Sequence, residues 1–497
     1  MASMIRATSV AAAAGLAALA LACQDANSPD KGPPGLHVVA GAGATDTVDA
    51  QLAQALVVEL HDDSGRPLSG VPILFTMADR NARAYVLVEP ARKMYGGTPV
   101  DTTDARGRAV VLVTMGPVAG TTSLAISVLS SSQTAMATTV TYTILPGAPA
   151  KVVAAPKDTA LYVGNSYTLR AAVRDRHGNP RTEAATFEVP GANAVTSGGG
   201  AVVTGAAIGR GRAVARYGSI TDTAMVSVVP RGTLVAYEPG GYVPGAKQKI
   251  VMFGLDGSNF RTILTDSTIT NPYGLGNGPL PRWSPSGDEI AYITQTQIWA
   301  TDTLGARRPV LTTANAVDYR GLFYSPDGQW IYFTHSQNGA LSVERVHPDG
   351  SGVESPSTSS PNSMWPSTDP SGNQLAFQFG DYGLRILDQT TGAFRTLGQL
   401  AQAPLWSPTG EWIAYLDANA RLHLVHPDGT GQRIYPTDLV PNANFGWSPD
   451  GAWLVISGVQ YSDANRRRQS LTLLNVASGE MLPLFFQHEL VQPSWRP

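Results

Sequence analysis

One cysteine, Cys23, occurs in 497 residues. A single thiol cannot close a disulfide within the chain, so its folded parts must be held by apolar burial and backbone pairing. The apolar run Val10–Ala22 has 13 residues, too few to cross a bilayer as a helix. Charge of one sign is also lacking. Lys and Arg number 35 against 38 Asp and Glu, a net charge of −3, with no long basic stripe, which argues against a nucleic-acid partner. The triplet Arg466-Arg467-Arg468 reads as a solvated loop. No G-x-S-x-G is present, so the nucleophile elbow of a serine hydrolase is missing from these residues. Tryptophan is absent from the first 282 residues, whereas nine fall between Trp283 and Trp495. The chain therefore has at least two compositional regimes. After the first apolar run no long amphipathic helical pattern appears. Instead 51 Gly and 36 Pro are spread among Val- and Thr-rich runs, the signature of many short strands joined by turns and hence of an all-β fold.

The apolar run ends Leu19-Ala20-Leu21-Ala22, directly before Cys23, and is preceded by a short segment holding one Arg, Arg6. This arrangement resembles the lipobox of bacterial lipoproteins. The resemblance implies a signal peptide over residues 1–22, lipidation of Cys23, and a membrane partner reached through the acyl chains. A plain secretory signal is the alternative, and both predict export. Gln24 after Cys23, where Asp would stand otherwise, resembles the outer-membrane sorting signal. Residues 23–35 are polar and proline-bearing, a lipid-anchored linker that could extend about 35 Å.

Strand-like runs occur next at Ala55–Leu60, Ile73–Thr76, Ala109–Thr114 and Thr122–Val128. They suggest a β-sandwich. Asp62-Asp63-Ser64-Gly65-Arg66-Pro67 supplies turn residues between strands, and Asp175-Arg176-His177-Gly178-Asn179-Pro180 repeats that chemistry. Through VELHDDSGRPLSGVPILF and TDARGRAVVLV, residues 36–147 resemble a bacterial Ig-like domain of the invasin and intimin type. Through AAIGRGRAVARYGSITDTAMVSVV, residues 148–229 resemble the shorter Ig-like domains of bacterial surface proteins. The expectation is two Ig-like β-sandwiches acting as spacers, with His61 and His177 as solvated turn residues.

Over residues 230–497 a motif repeats. It reads Trp283-Ser284-Pro285-Ser286-Gly287, Tyr324-Ser325-Pro326-Asp327-Gly328, Thr368-Asp369-Pro370-Ser371-Gly372, Trp406-Ser407-Pro408-Thr409-Gly410 and Trp447-Ser448-Pro449-Asp450-Gly451. Five residues after each Gly stands a large apolar side chain: Tyr292, Phe333, Phe377, Tyr415 and Ile456. Pro ends a strand and Gly reverses the chain, so each copy is a strand, a turn and a strand. Trp495-Arg496-Pro497 begins a sixth copy, and Gly232 with Tyr237 five residues on completes it. The predicted architecture is a six-bladed β-propeller closed by its two ends. These residues resemble the TolB-like propeller family, whose α/β amino-terminal domain is replaced here by the two sandwiches.

Chemistry is harder to place. The propeller region holds five His, of which His347 and His426 occupy matching His-Pro-Asp-Gly turns, while His335 and His423 are unassigned. Asp327 and Asp450 read as turn residues because Ser or Thr takes their place in other copies. No catalytic residue and no metal ligand set is assigned. No cofactor is expected, and a Ca²⁺ in the propeller channel is left open. Trp330, Trp412 and Trp453 each stand two residues after a motif Gly. A repeated position suggests packing; facing outward, the three would form a candidate binding surface. The expected function is a non-catalytic, lipid-anchored envelope protein, outer-membrane and facing the periplasm or the surface, that binds an envelope protein or glycan on a propeller face. The alternatives are a propeller-based polysaccharide lyase or hydrolase, and an adhesin or structural protein binding through its Ig-like domains.

Overall fold

The computed structural model describes residues 31–78, 84–90, 94–95, 98–129, 136–191, 194–239, 247–266, 279–294, 297–312, 317–337, 340–356, 362–380, 383–398, 401–435, 440–461, 467–484 and 488–497. Cys23 and the start of the linker lie outside them. Among the described residues every regular element is a β-strand, as the turn-rich composition predicts. The chain divides into two compact units, one holding residues up to 151 together with 174–182, the other residues 152–173 and 183–497.

In the first unit a four-stranded and a six-stranded sheet are formed. Strand Leu56–His61 turns Leu56, Val58 and Leu60 inward, and Arg108–Met115 turns Ala109, Val111, Val113 and Met115 the same way. They meet Ile73, Phe75, Leu124, Ile126, Tyr142 and Ile144 of the other sheet in one core. Burying alternate residues of two facing sheets makes a β-sandwich. The buried Tyr142 hydroxyl donates to the Gly41 carbonyl at 3.0 Å, and burial pushes its pKa up to about 12.

The turns behave as their residues require. Asp62 Oδ1 accepts the N–H groups of Ser64 and Arg66, both at 2.8 Å. Asp175 Oδ1 takes those of His177 and Asn179, both at 2.9 Å. Gly65 and Gly178 supply the left-handed φ of +79° and +90° that closes each loop. The two turn histidines, however, are not simply solvated. His61 is 4 % exposed, and His177 pairs with the Asp49 carboxylate beside Arg176.

The second unit begins with another pair of sheets. Asp158–Tyr162, Ile220–Val229, Gly209–Tyr217 and Thr186–Glu188 make one, and Ser166–Thr168, Val202–Gly205 and Val195–Ser197 the other. Val195, Val203, Ala213, Ala215, Val226 and Val228 fill the space between them. No linker separates these sheets from the repeat region. Val229 and Tyr162 share a core with Leu234, Phe253, Trp453 and Trp495. The Tyr162 hydroxyl donates to the Gly232 carbonyl at 3.0 Å, the Arg231 guanidinium lies 5.2 Å from the Tyr162 ring, and Ser227 Oγ donates to Pro483 O at 3.2 Å.

Six further sheets complete the unit, five of four strands and one of three. In each, the strand that ends at a motif aromatic or Thr lies at one edge, innermost in the ring. The first blade is built from both ends of the region: Val491–Trp495 pairs with Thr233–Glu238, which pairs with Gln248–Gly254 and then Arg261–Asp266. This is the closed six-bladed β-propeller. Its register differs by one residue from the sequence expectation. Leu234 faces Trp495 as Ile331 faces Tyr324, so Ala236 takes the place of Phe333 and Arg231 that of the motif Gly. Gly232 is required for a different reason: a Cβ there would lie 2.5 Å from Trp495 Nε1.

All nine Trp belong to the propeller, so their fluorescence reports its unfolding alone. Tyr162→Ala, a change in the preceding sandwich, is expected to lower the urea midpoint of that fluorescence transition, with a loss of about 3 kcal/mol. An unaltered midpoint would contradict the shared core.

Candidate functional site at the propeller channel

Each motif first closes its own turn. Ser325, Ser407 and Ser448 accept the N–H groups of Trp330, Trp412 and Trp453 on Oγ at 2.9, 3.0 and 2.9 Å. In the copy that lacks Ser, Asp369 Oδ1 accepts Gln374 N–H at 2.8 Å. Asp327 and Asp450 accept from Ser325 and Ser448 Oγ at 2.6 and 2.5 Å, which occupies them as turn residues.

The next residue, Pro, lies at the channel mouth in every blade. Pro285, Pro326, Pro370, Pro408, Pro449 and Pro497 rim a cavity of about 300 Å³, and all but Pro285 are exposed. Beneath them lie Trp283, Tyr324, Thr368, Trp406, Trp447 and Trp495, each buried. The wall is thus apolar and contributed by all six blades.

A second regularity lies deeper. Leu280, Trp365, Ala403 and Gln492 adopt φ of +46°, +59°, +48° and +55°, a region that residues bearing a Cβ rarely enter. Each precedes a proline, and each stands three residues before the motif aromatic or Thr. Inner-strand pairing slips at these points, between Met364 and Ser367 and between Gln402 and Leu405. In the third blade Gly321 takes the place, and a Cβ on it would lie 2.5 Å from Pro366 Cδ. Strain held at matching points around a channel marks a site that the surrounding sheets hold in shape. Pro two residues before the motif aromatic or Thr, in four of the six copies, was the sequence signal for these bulges.

One charge enters this wall. Arg282 is the charged residue among those lining the cavity. Its Nε donates to Leu322 O at 3.3 Å, and its Nη1 to Pro281 O and Pro493 O at 3.4 and 3.3 Å. Among the described residues its Nη2 has no partner and no carboxylate pairs with it. Burial pushes its pKa down to about 10, which leaves it a cation at neutral pH. Among the residues lining the cavity, Trp283 Nε1, Tyr324 Oη and Thr368 Oγ1 are buried polar atoms without a hydrogen-bond partner, the Tyr324 hydroxyl lying in the field of Glu289 and Arg308.

The candidate surface of Trp330, Trp412 and Trp453 does not form. Trp412 and Trp453 are 4 % and 6 % exposed, and Trp330 is half-buried. Trp330 stacks on His347 with centroids 3.7 Å apart, and Trp412 on His426 at 3.9 Å, while Arg345 and Arg433 sit 4.2 and 4.5 Å from the two indoles. The histidines complete a repeated hydrogen bond. His347 and His426 Nδ1 each lie 2.8 Å from the carbonyl before the Trp, Gln329 O and Glu411 O. In three of the four blades without His, a backbone N–H reaches the same carbonyl: Gln389 to Asn373 at 2.9 Å, Val476 to Ala452 at 3.0 Å and Leu255 to Gly232 at 3.1 Å.

The two unassigned histidines lie within blades. His423 is 5 % exposed, with Nε2 3.1 Å from Asp417 Oδ2 and Nδ1 3.3 Å from Gln432 Nε2. Gln432, an amide donor, fixes Nδ1 as the acceptor and places the ring proton on Nε2, towards Asp417. His335 Nδ1 is 2.9 Å from Glu344 Oε1. Among the described residues no three His, Cys, Asp or Glu side chains converge as a metal site.

No family model matches the sequence. An uncharacterized protein of Agrobacterium fabrum is 30% identical over 154 residues, covering 27% of this chain and 53% of that protein, so the chain spans about half the length of that relative. Among solved structures, TolB from Acinetobacter baumannii is 20% identical, with 54% of this chain and 67% of that chain covered and a TM-score of 0.45. A putative TolB from Agrobacterium tumefaciens is 15% identical over 54% of this chain and 100% of its own, with a TM-score of 0.42.

Asp417 also sets a pH dependence. Burial raises its pKa, but the Arg421 backbone and guanidinium, His423 and the Asn419 N–H together outweigh that and hold it at about 2, below the ordinary 3.8. The folded state therefore gains stability from this group above pH 3.8 and loses it as pH falls towards 2. Asp417→Asn is expected to cost about 2 kcal/mol at pH 7 and to flatten the acid limb of a stability–pH curve, measured by urea unfolding at several pH values.

Proposed function

We propose that this chain is a lipid-anchored envelope protein whose propeller is a non-catalytic binding platform, with the channel mouth as the contact surface for a protein or glycan. The observation that carries the reading is the six-proline rim over buried aromatics. An exposed apolar concavity of this size is the ordinary form of a ligand site, and its walls are braced by strained bulges. The non-catalytic assignment is supported by the partners of His335, His423, Asp327 and Asp450, each held in strand or turn packing. Ahead of the propeller, the two Ig-like sandwiches act as the stalk, anchored at Cys23 and sorted to the outer membrane.

The test uses the full-length chain, immobilised and exposed to a detergent extract of the native envelope and, separately, to a protein-free glycan pool. A component retained in stoichiometric amount by the native chain is expected to be lost from the Pro326→Glu/Pro449→Glu double variant, with the unfolding midpoint unchanged. Equal retention by both would move binding away from the mouth. Release of new glycan ends during incubation would replace binding by catalysis.

The anchor has its own check. Mass spectrometry of the membrane-extracted protein is expected to find an amino-terminal peptide beginning at Cys23 and carrying acyl chains, and Cys23→Ser is expected to leave the chain in the soluble fraction. An unmodified Cys23 would overturn the lipoprotein reading.

A further inference from the structure

We propose that the channel cavity takes a ligand bearing a carboxylate beside an apolar or aromatic body, the carboxylate pairing with the Arg282 guanidinium and the body packing on the proline and tryptophan wall. This rests on the reading of the channel mouth as the binding site.

Position in the repeat isolates Arg282. The residue before the motif aromatic or Thr is Ser494, Arg282, Phe323, Ser367, Leu405 and Gly446 in the six blades, so one charge stands in a ring otherwise neutral. Packing does not ask for it, since the other blades close with small or apolar side chains. A guanidinium has five N–H donors. Here three contacts to carbonyls, all at 3.3 to 3.4 Å, leave Nη2 without a partner among the described residues. Arg282 is partly buried; even partial enclosure of a cation without a counter-charge is unfavourable, and the fork of a guanidinium matches a carboxylate through two parallel hydrogen bonds. Phosphate fits less well, because a dianion would meet a single positive charge within a wall that is otherwise apolar. The rest of the ligand must be largely apolar for the same reason.

Trp283, Trp406, Trp447 and Trp495 line the cavity, so occupancy is readable in their fluorescence. The full-length chain is titrated with N-acetyl-phenylalanine, with its neutral amide, and with inorganic phosphate, monitored by fluorescence and calorimetry. The acid is expected to bind saturably, and the amide roughly tenfold to a hundredfold more weakly. Arg282→Gln is expected to bring the acid down to the level of the amide at an unchanged unfolding midpoint, with Arg282→Lys in between. A pentapeptide ending in a free Phe carboxylate separates the sources: tighter binding than the small acid assigns the ligand to a polypeptide terminus, and equal binding to a free acid.

Equal affinity of the native chain for acid and amide overturns the carboxylate pairing while leaving the mouth as a binding site. Unchanged acid binding by Arg282→Gln, stronger binding of phosphate, or no saturable binding of the acid likewise overturns it. The mouth reading itself is decided separately, by retention on the native chain against the proline variant. Should Arg282→Gln fail to fold, the acid and amide comparison on the native chain still decides the proposal.

Discussion

Everything in the second unit depends on one hydrogen-bonded ladder, that between Val491–Trp495 and Thr233–Glu238. A ring of sheets has no free edge only if its last strand finds its first, and unpaired strand edges are what sheet proteins must cover. The two ends meet here with no disulfide available to hold them. What holds them instead is packing around the seam. Trp495 sits against Gly232, where a side chain would collide, and the same core takes in Trp453 and Leu471 of the sixth blade and Tyr162 and Val229 of the sandwich. The sandwich is thus packed where the ring closes. A strand that runs from Ile220 to Val229 and restarts at Thr233 leaves no length for a hinge, so sandwich and propeller fold as neighbours in one core.

Much of this was legible because a repeated motif fixes its own register. Aromatic, Ser, Pro and Gly at constant spacing dictate a strand, a turn and a strand; four copies carry all four residues, and the fifth keeps Pro and Gly behind Thr368 and Asp369. The sixth copy misled by one residue, since Gly232 imitates the motif Gly while serving as a contact for Trp495. A glycine is ambiguous in sequence: it answers equally to a left-handed φ and to a close approach. The direction of Trp330, Trp412 and Trp453 was not legible either. Whether a strand residue faces a neighbour or solvent depends on which sheet packs against it, and the partners His347 and His426 lie in the next turn of the same blade, 17 and 14 residues away in sequence.

The site itself was missed for a related reason. Its wall consists of the residues that repeat most faithfully, and repetition invites a purely structural explanation. Pro after the motif Ser ends a strand, but it also comes to the channel mouth; Pro before the motif aromatic or Thr fixes a bulge, but it also shapes the channel. A propeller converts any repeated inner-strand feature into a ring, so residues chosen for folding become a surface of matched chemistry. What repetition cannot supply is direction within that ring.

Departures from the repeat supply it. A wall of six equivalent prolines and aromatics would hold an apolar body in six nearly equal orientations, and binding would be correspondingly unspecific. One blade carries Arg282 where its counterparts carry Ser, Phe, Leu or Gly. A charge confined to one blade breaks the rotational degeneracy of the cavity. The electrostatics then favour a ligand of one sign, held towards one side, in a site whose remaining surface discriminates by shape. Fold and recognition are divided along the same motif, the repeated residues building the ring and the unrepeated one giving it polarity.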